Sequence, residues 1–189
     1  MEGDNLNKPQ NGSILISEPY LGDPNFERTV VLICSHNEDE GTFGLVLNRM
    51  SNLKLSDVID VYSESFEAEL GIGGPVQYNT LHYVHRLSQL PQAVQLSDDV
   101  YWGGDFEMLR TMIGAGIVSP SEIKFFLGYS GWTPGQLQEE IDKNVWIVNN
   151  HAANKLFNLE ADSLWRGILR QMGGKYKVLS NYPVDPRLN

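Results

Sequence analysis

The sequence predicts an α+β protein built on a mixed β-sheet, and three observations carry that reading. The early part of the chain is a series of short apolar strands joined by hairpin turns, whereas later strands alternate with helices. The stretch from Ile123 to Ile141 reads as strand, turn and helix in which propensity, turn chemistry and capping agree. The segment Ser163–Met172 repeats apolar residues at helical spacing. We find no internal repeat, low-complexity tract or linker, so the expected organisation is a flexible tail over 1–11 and a single domain over 12–189.

Taken in order, Ser13–Ser17 is a first short strand, ended by Glu18-Pro19. Leu21–Arg28 is rich in turn formers, with Phe26 as its anchor to the core. Thr29–His36 is a buried strand by its β-branched content, and Asn37–Gly41 is an acidic hairpin tip. Thr42–Arg49 returns as the partner strand, with Gly44 marking a bulge or close approach. Leu55–Val61 reads as a short helix with Ser56 near its cap, and Leu70–Gln77 as a glycine-rich extended stretch. Thr80–Arg86 and Ala93–Leu96 are strands, and Asp105–Ile113 is an amphipathic helix. From Ile123 a buried strand runs to Gly128, where Gly128 and Gly131 predict a sharp turn. Thr133 then supplies an N-cap oxygen, Pro134 the first helical residue and Gln136 the reciprocal capping partner of a helix that carries Leu137 and Ile141. Val145–Val148 is a strand. Ser163–Met172 is a helix stopped by Gly173-Gly174, and Asn181–Pro186 is an extended tail.

A net charge of −10 disfavours nonspecific attraction to nucleic acid or anionic membrane. The charge is uneven: from Ala161 onward Arg166, Arg170, Lys175, Lys177 and Arg187 outnumber Asp162 and Asp185, leaving a small basic end on an acidic body. Cys34 is the single cysteine, so no disulfide can form within the chain, and its apolar neighbours predict a buried, inert thiol. No apolar run is long enough to span a membrane. The polar first ten residues lack the basic and apolar regions of an export signal, so a cytoplasmic location is expected.

Five stretches together carry a family resemblance. They are Leu21-Gly22-Asp23 with Phe26 and Arg28; Gly44–Arg49; Gly73–Gln77; Leu81–His85; and Phe126–Trp132 with Pro134–Leu137. In this order and over most of the chain, they resemble the YqgE/AlgH family of bacterial proteins. Met50 and Thr133 depart from its pattern, standing where a proline and a glycine are usual. The resemblance implies a bifurcated mixed β-sheet curled into a pseudo-barrel with helices packed outside. It implies a transcriptional-regulator role in one branch and supplies no catalytic residues.

Gly128-Tyr129-Ser130-Gly131-Trp132 has the outline of a nucleophile elbow, but Trp132 replaces the final glycine and would crowd the tight helix–strand approach. His151 is the only histidine after Ser130. A structural turn is therefore favoured over a hydrolase using Ser130. Anion binding at the same turn is weakened because Pro134 has no N–H and Thr133 should occupy another donor. The Gly71–Pro75 glycines lack the lysine and helix of a phosphate loop and suit a strand crossing. His82 and His85 fall on opposite faces of a strand, so no metal site is expected, although a His–carboxylate pair with Asp98, Asp99 or Asp105 stays open.

Asn48, Arg49, Gln77, Tyr129, Trp132 and Gln136 are the polar and amphipathic residues nearest strand ends, where a curled sheet could gather them into a cleft. The bland alternative pairs Arg49 with a carboxylate and has Trp132 cap the core. The sequence favours a non-enzymatic binding or regulatory protein, with no cofactor and an unknown protein or small-molecule partner. A hydrolase using Ser130 or a His–carboxylate pair is the competing class. A DNA-associated regulator comes third, since only Arg166 and Arg170 suggest a basic helix.

Overall fold

A computed structural model of the protein describes residues 8–60, 66–151, 153–158 and 160–183. Ten strands occur among them: β1 (Ile14–Ser17), β2 (Val30–Asn37), β3 (Gly41–Val46), β4 (Met50–Lys54), β5 (Glu69–Ile72), β6 (Val76–His85), β7 (Val94–Ser97), β8 (Val100–Trp102), β9 (Ile123–Trp132) and β10 (Trp146–Asn149). Four α-helices accompany them: α1 (Phe106–Gly114), α2 (Gln136–Asp142), α3 (Ala161–Met172) and α4 (Gly174–Leu179). The spatial order is β10-β1-β2-β3-β9-β6-β8-β7, with β5 also on β9 and β4 outside it.

β9 is the strand on which everything meets. One of its edges pairs antiparallel with β6, from His85 opposite Ile123 to Val76 opposite Tyr129. Its other edge forks. Phe125–Leu127 pairs parallel with β5, and Ser130–Trp132 pairs antiparallel with β3. The sheet is therefore mixed and bifurcated. It curls far enough to lay the Leu96 carbonyl of β7 against Gly12, yet among the described residues no ladder joins β7 to β10 or β1, so the sheet is open.

The fork sits at Gly128. This residue adopts φ +66°, and β6 is bulged opposite it between Val76 and Leu81. An inserted left-handed residue resets the two-residue alternation of a strand. Phe126 and Tyr129 consequently both pack on the core that faces α3, while Trp132 joins the core under α2. The Gly73-Gly74 backbone crosses here: a side chain on Gly73 would strike the Gly128 carbonyl, and one on Gly74 the Tyr129 carbonyl. Only glycine permits such an approach.

This geometry corrects the expected sharp turn. β9 continues through Gly128 and Gly131 to Trp132, because the bulge absorbs Gly128 and β3 supplies a partner for the rest. The turn comes later, at Thr133–Gly135. Gly135, with φ +79°, is the N-cap of α2, so Thr133 and Pro134 precede the helix. The capping exchange survives in part: the Thr133 N–H donates to Oε1 of Gln136.

Apolar residues divide into three cores. The first lies between β1–β3 and the α3 face, with Ile14, Ile16, Leu32, Leu45, Phe126, Leu164, Trp165, Ile168 and Leu169. The second gathers Leu70, Tyr83, Ile123 and Phe125 under Leu109, Met112 and Ile113 of α1. The third joins Leu15, Val31, Ile33 and Val46 to Leu137, Trp132 and Trp146. The alternating sides of β1 and β2 thus feed different cores, and β1 is buried throughout. Cys34 is fully buried and burial pushes its thiol pKa up, as an inert thiol requires.

Other boundaries differ for local reasons. Leu55–Asp57 is a single 3-10 turn, capped by Asp57 Oδ2 on the Lys54 N–H, in place of the helix to Val61. Val61 itself and Glu64 lie outside the described residues. The bulge on the β2–β3 ladder falls between Ile33 and Ser35, opposite Gly44. Asp105 caps α1 through the Met108 N–H. Gly173 (φ +71°) ends α3, and the chain turns directly into α4, which the expected stop did not include. Lys8–Asn11 lead into β1 through hydrogen bonds, among them the His36 N–H to Asn11 Oδ1.

Replacing Gly128 by Ala forces a Cβ to within 2.8 Å of the Gly74 and Val76 carbonyl oxygens at a positive φ. We expect Gly128→Ala to lower stability by about 2 kcal/mol or more. A reduced denaturant midpoint with unchanged slope would register it.

Candidate functional site

The structure places the six residues singled out from sequence in four locations. Asn48 and Arg49 line one cleft; Trp132 and Gln136 meet through Glu140; Tyr129 belongs to an aromatic group with Phe43, His82 and Trp102. Tyr129 and Trp132 also border one shallow hollow beside the β2–β3 hairpin. Gln77 stands exposed at the start of β6 with φ +49°, its carbonyl accepting the Thr80 hydroxyl.

The Trp132 cluster is an internal brace. Glu140 Oε2 accepts both the Trp132 indole N–H at 2.8 Å and the Trp146 indole N–H at 2.7 Å, and Oε1 accepts Gln136 Nε2 at 3.0 Å. One carboxylate thereby fixes α2 to β9 and β10.

The catalytic alternatives lack their geometry. Ser130 is fully buried on β9 and donates its hydroxyl to the Gly73 carbonyl at 3.1 Å. No histidine is bonded to it. His36 Nδ1 meets Thr42 Oγ1 at 2.7 Å, and His82 Nε2 meets Thr80 Oγ1 at 3.1 Å. Buried His85 holds the Gly103 carbonyl through Nε2 and accepts the Leu87 N–H at Nδ1, so it is the neutral tautomer, with Nε2 carrying the proton. Its partners are backbone groups, not a carboxylate. No group of three or more His, Cys, Asp or Glu side chains among the described residues could hold a metal.

The cleft of about 380 Å³ at Asn48 and Arg49 is of another kind. It is walled by Glu27 and Arg28, by Asn48 and Arg49 after β3, and by Asp162, Trp165 and Arg166 on the first turns of α3. Asn48 builds the near wall. Its Nδ2 donates to the Arg28 carbonyl and its Oδ1 accepts the Val30 N–H, pinning the Leu21–Arg28 loop to the end of β3. Arg49 donates from Nη2 to the Glu27 carbonyl at 2.7 Å, so its partner is a loop carbonyl and not the carboxylate anticipated from sequence.

Arg28 lies deepest. Its backbone takes φ +49°, its guanidinium sits 4.9 Å over the Trp165 ring, and Nη2 donates to the carbonyls of Tyr182 and Pro183. Its Nε is buried with no partner among the described residues. Burial first, and then repulsion from Arg166, lower its pKa. Trp165 is fixed below by an indole bond to the Ser17 carbonyl. Arg166 is exposed and makes no hydrogen bond or ion pair among the described residues. Three arginines and two carboxylates therefore share one concave surface of an acidic protein. Sequence reasoning passed over Arg28 and Trp165. The basic excess after Ala161 was the signal, but nothing in it indicated which loop α3 would face.

These features define an open mixed-sheet α+β protein with a polar, arginine-walled cleft and no assembled catalytic group among the described residues. The chain belongs to the AlgH-like family, whose profile matches residues 14–177. It is 48% identical over 180 residues to a UPF0301 protein of Cytophaga hutchinsonii, covering 94% of this chain and 98% of that one. A UPF0301 protein of Parabacteroides distasonis is 39% identical, over 96% and 92% of the two chains. The solution structure of the AlgH protein from Pseudomonas aeruginosa superposes with a TM-score of 0.70 at 28% identity, covering 92% of this chain and 94% of that one. A crystal structure of a Corynebacterium diphtheriae protein shares the fold, with a TM-score of 0.76 at 22% identity and 94% coverage of each chain. Among the described residues, no helix is long and apolar enough to cross a membrane.

Two expectations follow. Glu140→Ala strands two buried indole donors and should cost about 2–4 kcal/mol, measured by chemical denaturation. For His85, burial is the larger influence and lowers the pKa, outweighing the bond to Gly103. The unfolded chain then binds a proton, near an ordinary pKa of about 6.5, that the folded chain refuses. Stability should be complete above that value and decline as pH falls through the lower folded pKa. In His85→Gln, a pH–stability titration should give a shallower decline.

Proposed function

We propose that this protein is a non-catalytic binding or regulatory protein whose cleft between the Leu21–Arg28 loop and α3 receives a small anionic group, a carboxylate or a phosphate. The observation that carries this reading is the convergence of Arg28, Arg49 and Arg166 on one concave surface, with the Arg28 pKa lowered by burial and by Arg166. Arg28 and Arg166 repel each other, and an anion in the cleft removes that cost while accepting charge-assisted hydrogen bonds. Asn48 serves the cleft by holding its wall, and Arg49 and Arg166 face the ligand.

Glu27 and Asp162 restrict the anion to a compact one, because a long polyanion would run against both carboxylates. The acidic body, and the two carboxylates that share the cleft with its arginines, argue against DNA as the direct partner. A cytoplasmic setting fits a soluble regulator of this kind. The hydrolase reading is not favoured, since Ser130 is sealed on β9.

Isothermal calorimetry with inorganic phosphate, pyrophosphate and citrate tests the proposal. At least one should bind with an affinity that falls as salt rises. Arg166→Ala, a surface change, should weaken it about tenfold with unaltered thermal stability. Equal affinity in the wild type and in Arg166→Ala, or no binding by any of the three, would overturn the reading.

A further inference from the structure

A second cavity, of about 230 Å³, lies beside the N-terminal half of β9 and is separate from the arginine cleft. Its lining includes the apolar Leu47, Ile123 and Phe126 and the acidic Glu67, Glu69 and Glu160. Lys124 is its only base. Paired with Val84 in the β6–β9 ladder, it shares by alternation the face of Phe126, the face that packs on the first core. A lysine in such a place ordinarily extends to solvent or closes on a carboxylate. Lys124 is half-buried, and among the described residues it makes no hydrogen bond and no ion pair, although three glutamates border the same space. Burial lowers its pKa, against the opposing attraction of Glu160. The other two lysines with described ion pairs, Lys54 with Glu67 and Lys143 with Glu139, are well exposed at the surface.

From this geometry we infer that Lys124 is a nucleophilic amine that accepts a small acyl group from a thioester. An unpaired amine in a cavity has nothing to displace before it reacts, and its neutral form is the one that burial favours. The carboxylates around it repel an anionic reacting end, which selects a thioester over an acyl phosphate. The cavity limits the acyl chain to a short one. The neutral amine attacks the acyl carbon, the N–C bond forms, the C–S bond breaks, the thiolate leaves with the electron pair, and the amine proton passes to water. The product is an uncharged amide, so the burial that opposes the ammonium no longer opposes the side chain. The glutamates meanwhile lose the one positive charge in their cavity, which makes acylation a change in the charge of that surface.

The test is site-resolved mass spectrometry of the full chain treated with a neutral thioester, S-acetyl-N-acetylcysteamine, across neutral to alkaline pH. In the folded protein, Lys124 should acetylate severalfold faster than Lys143 and Lys54 near neutrality, and its own rate should level off at lower pH in the folded chain than in denaturant. The same reaction in denaturant should abolish the difference, since local sequence is unchanged and only the cavity is lost. A folded-state rate for Lys124 at or below that of Lys143 throughout the range would overturn the inference. So would a preference that persists in the unfolded chain.

Discussion

One carbonyl oxygen organises the molecule. Gly73 O accepts the Val46 N–H from the end of β3 and the Ser130 hydroxyl from β9, while the Gly73 N–H donates to the Leu127 carbonyl. Three segments distant in sequence are thereby fastened at the point where β9 changes partner from β5 to β3. A buried polar group left unpaired is expensive, so the backbone must pass this point in a single arrangement. The absence of side chains at Gly73, Gly74 and Gly128 makes the approach possible. Two of the three cores are set by it: the left-handed Gly128 decides that Phe126 and Tyr129 look toward α3 and Trp132 toward α2.

The fork also explains why Ser130 is not presented as an exposed nucleophile. An exposed nucleophile needs the strand to end at the serine, so that the hydroxyl projects from a strained turn. Here the strand runs on because β3 offers Thr42–Gly44 as partners, and the hydroxyl is spent on a structural bond. Gly128, one of the glycines that suggested a turn, instead serves a crossing.

Much of the fold was legible in the sequence because local chemistry spoke for it. The β2–β3 hairpin, α1, and α3 with its Gly173 stop all carry short-range signals that packing did not override. The extension of β9 past Gly128 was not legible, since it depends on a partner strand more than eighty residues earlier in the chain. β8 and the edge strand β4 were missed for a related reason: three residues, or five mostly exposed ones, make no periodic pattern alone. In the arginine cleft, Asn48 and Arg49 were readable as residues at a strand end. Arg28 and Trp165 were not, because their stacking joins residues 137 positions apart and Trp165 looked like one more apolar residue of a helix face.

The four tryptophans occupy three different junctions: Trp132 and Trp146 share one carboxylate, Trp165 lies beneath a guanidinium, and Trp102 belongs to a ring cluster. Their intrinsic emission is consequently a composite of separable local reports. Undocking of α2 would alter two indoles together by taking away a shared acceptor, whereas occupancy beside Arg28 would reach a third alone. Single-tryptophan versions of the chain would therefore let unfolding and ligand entry be followed as distinct optical events, without a foreign label.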